Sequence, residues 1–276
     1  MTLKEALDRG ILLLEKEEIP DAKLDAWYLL SYVCKLTKAQ YFLKQNDDID
    51  EATLREYNDA LKQRASHIPL QHITGEQDFM GLTFKVNEHV LIPRQDTETL
   101  VEEALKEIPE NSRVLDLCTG SGCVIISLAV LGKGISGVGV DISEEALAVA
   151  RENGSRLAGT KVDFVQGNLW EKATGKFNGI VSNPPYIRTK DIEDLSSEVK
   201  EHEPRIALDG TEDGLYFYRE ITQRAKEYLV DGGWLLVEIG YDQGTDVKAL
   251  FEEAGFKEVQ VIKDLAKNDR VVKGHL

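Results

Sequence analysis

The sequence predicts an α/β protein: a small helical N-terminal domain, a β-hairpin, and a doubly wound sheet of seven strands. Three observations lead there. Apolar residues recur at helical spacing from Leu3 to about His67, and short apolar strands alternate with helical stretches from Ser112 onward. The third is length, since 276 residues can form two modest domains, each with its own core.

Leu3, Leu7, Ile11 and Leu14 mark one helix face, and Leu24, Trp27, Tyr28 and Ser31 another, with Pro20 and Asp21 as the break between them. From Phe79 the composition turns β-rich. FMGLTFKVNEHVLI carries turn residues at Gly81 and at Asn87 and Glu88, which reads as a hairpin bridging two domains. A helix follows from Glu98 to about Ile108, with Thr97 or Asp96 as its N-cap. RVLDLC, SGCVIISLAVL, GVGVD, SEEALAVARENG and VDFVQG then alternate as βαβαβ. The strand GIVSN comes next, then a helix in DGLYFYREITQRAKEYL, the strand WLLVEIG, a helix from about Gln243 to Glu253, and the strands FKEVQVIKD and RVVKGHL. The chain thus divides into residues 1–75, 76–95 and 96–276.

Composition excludes several classes of function. With 42% hydrophobic and 30% charged residues and no apolar run near the ~20 residues that span a bilayer, this is not a membrane protein. The start, MTLKEALDRG, lacks the features of a secretory signal, which predicts a cytoplasmic location. Cys34, Cys118 and Cys123 form no CxxC pair, and the five histidines show no ligand spacing, so structural thiols and no metal are expected. His67 and His72 lack one-face helical spacing, with Pro69 between them. The formal charge of -16 argues against a grip on nucleic-acid phosphates. Acidity concentrates in the later part of the chain, because residues 1–75 are only slightly acidic.

The first strand of the sheet runs into Cys118, Thr119, Gly120, Ser121 and Gly122, and a helix follows at once, which is where an open α/β sheet binds its ligand. Glycines there let the backbone approach closely. Asp141 ends the second strand, where its carboxylate can accept from both hydroxyls of an adenosine ribose, a role that serves NAD and S-adenosylmethionine equally. Ser143 is the better cap for the helix that follows. Asn168 and Leu169 come after the third strand, where they can edge and cover an adenine ring. The adjacent Trp170 covers that ring or is core, and core is the commoner fate.

Asn183, Pro184, Pro185 and Tyr186 follow the fourth strand, beside the glycine loop if the first and fourth strands are neighbours. The nitrogen of an amide or an adenine amino group is nearly non-nucleophilic because its lone pair is delocalised. An asparagine side-chain oxygen and the Pro184 carbonyl can each accept one N–H, drawing that nitrogen toward tetrahedral geometry and aiming its lone pair at a methyl group. Pro185 stiffens the backbone before it, and the Tyr186 ring can stack on a flat substrate group. No tuned general base is needed, because the nitrogen can lose its proton after attack.

These residues resemble the amino-methyltransferases with an Asn/Asp-Pro-Pro-Tyr motif. The likeness extends over nearly the whole chain to the methyltransferases that modify glutamine in peptide chain release factors. It is carried by PLQHITG at 69–75, FMGLTFKVNEHVLIPRQDTETLVE at 79–102, LDLCTGSG at 115–122, VSNPPYI at 181–187, DGLYFYREI at 213–221 and the late DLAKNDRVV. The resemblance implies a class I S-adenosylmethionine-dependent methyltransferase fold with a Rossmann-like seven-stranded sheet. It implies an S-adenosylmethionine-dependent protein-(glutamine-N5) methyltransferase, with Cys118 to Gly122, Asp141 and Asn183 binding the cofactor. Residues 183–186 would hold the glutamine of a Gly-Gly-Gln loop, and the helical domain and hairpin would dock the release factor. No stable nucleic-acid or membrane partner is expected.

Two residues depart from the family pattern. Cys118 stands where glycine is usual, which is tolerable with a negative φ, and Asn168 where aspartate is common, still able to accept through its side-chain oxygen. Residues 187–212 are too long for a plain connection and read either as a lid or docking segment or as a solvated acidic insertion. Chemistry alone leaves an adenine amino-methyltransferase of DNA or RNA as the nearest alternative, opposed by the net charge. A NAD-dependent oxidoreductase or a nucleotide-binding module is more remote, since neither has a use for Asn-Pro-Pro-Tyr.

Overall fold

The computed structural model describes all 276 residues, and the chain forms two units. One comprises Met1–Gly75 with Ser196–His202, the other Glu76–Leu195 with Glu203–Leu276. The first unit contains α1 (Leu3–Lys16), α2 (Ala22–Cys34), α3 (Lys38–Lys44), α4 (Glu51–Ala65) and α5 (Leu70–Thr74). Its helices start where the sequence supplies caps. Thr2 and Glu5 form a capping box on α1, Thr37 and Gln40 form one on α3, and the Asp50 carboxylate accepts from Ala52 and Thr53 N–H on α4. Leu14, Leu29, Leu30 and Tyr57 fill the core, and the Tyr57 hydroxyl donates to the Ala26 carbonyl (3.1 Å).

The second unit opens with a hairpin, β1 (Glu76–Phe79) and β2 (Leu82–Lys85). Its two turn residues, Met80 and Gly81, both have positive φ (52° and 73°), as the two-residue turn matching strand twist requires. Phe79 and Phe84 are buried in the core of this unit, so the hairpin is part of it rather than a free bridge. A short 3₁₀ turn, Gln95–Thr97, leads into α6 (Glu98–Glu107). Thr97 therefore already has helical backbone angles, and neither its side chain nor that of Asp96 caps α6, contrary to the sequence expectation.

The sheet and its helices then follow: β3 (Arg113–Leu117), α7 (Cys123–Leu131), β4 (Ser136–Asp141), α8 (Glu144–Leu157), β5 (Val162–Gln166) and β6 (Phe177–Ser182). After α9 (Ser197–His202) come α10 (Tyr216–Tyr228), β7 (Leu229–Glu238), α11 (Gly244–Glu253), β8 (Lys257–Lys263) and β9 (Asp269–His275). The seven strands take the order β5-β4-β3-β6-β7-β9-β8, with β9 antiparallel to both its neighbours. Chain order reverses between β3 and β6, the neighbours the clamp required, and the crevice at their C-terminal ends is the natural ligand position of an open α/β sheet. The largely apolar β3, β6 and β7 are covered on both faces, as central parallel strands must be. No helix is long and apolar enough to cross a membrane.

Residues 187–212 are folded rather than a solvated insertion. Ile187 bridges to Asp209, Ile192 and Leu208 are buried, and the Glu203 carboxylate receives the Arg94 guanidinium. Within the first unit, Glu198 of α9 accepts from Arg64 (2.5 Å), whose Nε also donates to the buried Asp25 (2.7 Å).

Candidate active site

A cavity of about 270 Å³ lies in the second unit, where the loops after β3, β4, β5 and β6 converge. The parallel register sets this convergence: Leu117 pairs with Val140 on one side and Ser182 on the other, so Cys118, Asp141 and Asn183 leave the sheet at the same level. Ser182 reinforces the junction by donating its hydroxyl to the Leu117 carbonyl (2.7 Å).

Cys118, Thr119, Gly120 and Ser121 line the cavity, while Gly122 sits behind them as the first link to α7. At Gly122 (φ 79°) a Cβ would come within 2.9 Å of Ile126 Cδ1 and 3.2 Å of the Phe164 ring. At Gly120 (φ 54°) a Cβ would meet nothing within 4 Å, so space for a ligand opens there. Asp141 anchors this loop: its Oδ2 accepts from Gly120 N–H (2.8 Å) and its Oδ1 from Ser143 N–H (3.0 Å). Each carboxylate oxygen keeps further lone-pair capacity. Burial pushes the Asp141 carboxyl up, against the pull of those backbone donors. Ser143 caps α8 by accepting from Ala146 N–H (3.1 Å), as expected.

Asn168 and Leu169 line the opposite wall, with Leu169 held at φ 49°, unusual for a branched residue. Trp170 is core: it stacks on Tyr228 (4.7 Å between centroids) and donates to the Glu220 carbonyl (3.0 Å).

The four clamp residues are not equivalent. Asn183 and Pro185 line the cavity, whereas Pro184 is buried and does not, and Tyr186 packs against the core under the sheet edge. The Tyr186 hydroxyl faces Glu238 Oε1 (3.4 Å), and burial beside that carboxyl raises its pKa well above the usual tyrosine value. Asn183 Nδ2 donates to Thr97 Oγ1 (3.3 Å). That contact explains why Thr97 does not cap α6: its hydroxyl serves the cavity instead. It also fixes the Asn183 amide, leaving Oδ1 as the acceptor for a ligand N–H.

Sequence reasoning missed several cavity residues. Thr97 was legible only as a cap. Asp116, buried beside the loop, accepts the Thr119 hydroxyl (2.6 Å), and burial pushes its carboxyl up to about 7. Ile142 is half exposed against the cavity, a detectable signal because an apolar residue directly after a strand-end aspartate has no core to join. Pro204, Ile206 and Ala207 bring the 187–212 segment to the cavity wall, though the sequence reading of a lid or docking segment named neither Ile206 nor Ala207.

Comparison with known proteins identifies the lineage. Residues 5–75 match the model of the PrmC N-terminal domain, and residues 95–201 match the methyltransferase small domain. The release factor glutamine methyltransferase of Geobacter sulfurreducens is 41% identical over 276 residues, covering 100% of this chain and 97% of that one. The Caulobacter vibrioides protein of the same name is 40% identical over 269 residues, covering 94% and 93%. This chain belongs to the release factor glutamine methyltransferase family. It is a methyltransferase, and its sheet is that of the methyltransferase fold. A solved methyltransferase from Pyrococcus furiosus shares that fold at 17% identity (TM-score 0.54, covering 71% of this chain and 89% of the other).

The condition under which cysteine replaces the family glycine without strain is not met. Cys118 is tolerable at negative φ, yet its φ is 58°. The turn keeps the left-handed geometry that glycine adopts freely, because Asp141 and the helix that follows fix the loop on both sides, and the cysteine conforms to it. Asn168 keeps an exposed side chain at the wall, while its backbone N–H donates to Glu171 Oε2 (3.1 Å).

Proposed function

We propose that this member of the release factor glutamine methyltransferase family methylates the side-chain amide nitrogen of the glutamine in a Gly-Gly-Gln loop of peptide chain release factors, with S-adenosylmethionine as methyl donor, in the cytoplasm. The observation that carries the reading is the Asn183 amide, anchored through Nδ2 on Thr97 and free at Oδ1, on the same cavity as the glycine loop. S-adenosylmethionine supplies a methyl group on a sulfonium whose departure leaves a neutral thioether.

The residues fit such a donor. Asp141, with lone pairs to spare, would hold the ribose hydroxyls, and the open face of Gly120 admits the chain close to the backbone. Ile142, Asn168 and Leu169 would enclose the adenine. Asp116 would face the donor's positive charge, which would favour its ionised form. Asn183 Oδ1 would accept one amide hydrogen of the target, and the Pro184 carbonyl would take the other by a shift toward the cavity, which Pro184 does not line, turning the lone pair toward the methyl group. The rate gain comes from positioning rather than from proton transfer. Asn183 and Pro185 line the cavity and would present the surface on which a flat amide lies, while Tyr186 packs against the core.

Incubation of release factor with enzyme and methyl donor, followed by mass spectrometry, tests the reading. One added methyl group on the Gly-Gly-Gln glutamine is expected, and methylation of DNA instead would overturn it. Asn183→Ala should lower kcat by about 100-fold with a smaller loss of cofactor affinity, since it removes one of two positioning acceptors.

A further inference from the structure

Asn183 can serve as an acceptor only while its amide points the right way, and two groups behind it control that direction. Thr97 Oγ1 accepts from Asn183 Nδ2 (3.3 Å), so the hydroxyl must send its single proton elsewhere. Glu238, at the end of β7 and 2% exposed, is the carboxyl beside it, and the Thr97 hydroxyl stabilises its charged form. Glu238 Oε1 faces the Tyr186 hydroxyl at 3.4 Å, while Oε2 is buried with no hydrogen-bond partner. Such a group under an active site calls for an explanation.

We propose that Glu238 is a positioning residue that, through the Thr97 hydroxyl, sets which end of the Asn183 amide faces the cavity; this rests on the clamp reading of Asn183. When Glu238 is ionised, its unsatisfied carboxylate draws the Thr97 O–H, so that the hydrogen bonds run in one direction, from Asn183 Nδ2–H to Thr97 and from Thr97 toward the carboxylate, and Oδ1 is presented to the target amide. When Glu238 is protonated, it donates to Thr97 Oγ1 and the Thr97 hydrogen turns toward Asn183. The amide then swings its NH₂ into the cavity, where it repels the N–H groups of the substrate.

The surroundings place this switch in a useful range. Burial pushes the Glu238 carboxyl up to about 7, Thr97 and the Arg270 guanidinium on β9 pull it down, and Asp96 in the turn before α6 pushes it up. The other titratable groups facing it are Tyr186 after β6, Tyr218 on α10, whose hydroxyl donates to the Glu238 carbonyl (2.9 Å), and Cys123 at the start of α7. Burial holds all three of these neutral.

The test is kcat against pH, from about 5.5 to about 9 so that the series brackets neutrality, for the full-length enzyme with release factor. Calorimetric binding of S-adenosylhomocysteine checks that each variant retains its cofactor site. The wild type should lose about tenfold in kcat per pH unit on the acid side of a break near neutrality. Glu238→Gln, nearly isosteric and unable to titrate, should abolish that acid limb and lower kcat at pH 8 by about tenfold, with little change in KM. Thr97→Val should do the same, and Thr97→Ser should restore the limb. A wild-type acid limb in Glu238→Gln or in Thr97→Val overturns the proposal. If Asn183→Ala is at the same time inactive, the clamp reading survives; if Asn183→Ala is fully active, the clamp itself fails.

Discussion

Cys118 stands in a conformation that L-residues occupy at a cost of about 1 kcal/mol, at the loop that meets the cofactor. A residue without a Cβ should relieve that strain while forfeiting some packing, so Cys118→Gly should melt within a few degrees of the wild type and keep its activity. Cys118→Val, β-branched, should lower the melting temperature by many degrees; equal melting of the two variants would contradict the positive φ. Asp116 makes a prediction about pH. The folded chain holds its proton up to about pH 7, whereas the unfolded chain releases it near 3.8. Between those values the native state binds more protons, so stability falls as pH rises through the window. Asp116→Asn should therefore gain stability over the wild type as pH rises from about 5 to about 7, the upper part of that window, in urea titrations without cofactor; a difference that does not change with pH would refute it.

The elements divide sharply into those legible in the sequence and those that were not. The strands β3, β4 and β6 were readable because each is a short, largely apolar run that leads into a turn, and the hairpin because Gly81 supplies a positive φ. The work of Thr97 was not readable: its partner Asn183 lies 86 residues away, and a threonine before a helix looks the same whether it caps or not. Nor could the conformation of Cys118 be inferred, since the bonds that hold its loop, from Thr119 N–H to the Val140 carbonyl and from Gly120 N–H to Asp141, reach across to a strand distant in sequence. The tie between α6 and β9 was equally hidden. Lys273, 4% exposed, pairs with Glu103 and Glu107 (both 2.6 Å) from the far end of the chain. Removing the lysine would leave the buried Glu103 carboxylate with Lys106 alone, so Lys273→Ala should destabilise the fold by about 3 kcal/mol in urea unfolding. A loss below about 1 kcal/mol would show the pair to be solvated.

At the scale of the whole molecule, family membership and the cavity account for the chemistry, while the helical unit is proposed to hold the protein substrate. Leu24, Tyr28 and Tyr32 repeat every fourth residue along α2 and are each about half exposed, a stripe of apolar and aromatic surface suited to a protein partner. Tyr28→Ser with Tyr32→Ser should raise KM for intact release factor by about tenfold while leaving kcat and cofactor affinity unchanged; an unaltered KM would exclude the stripe from docking. The parallel ladder that brings Cys118, Asp141 and Asn183 to one level has a consequence for how this chain can change over time. A residue deleted from β3, β4 or β6 would retract one loop by about 3.3 Å and turn its side chains to the opposite face. The surface turn around Gly134, outside that ladder, carries no such penalty. Insertions and deletions should thus accumulate at the amino ends of these strands and be nearly forbidden at their carboxyl ends, a fingerprint that a saturating library of single-codon deletions would reveal.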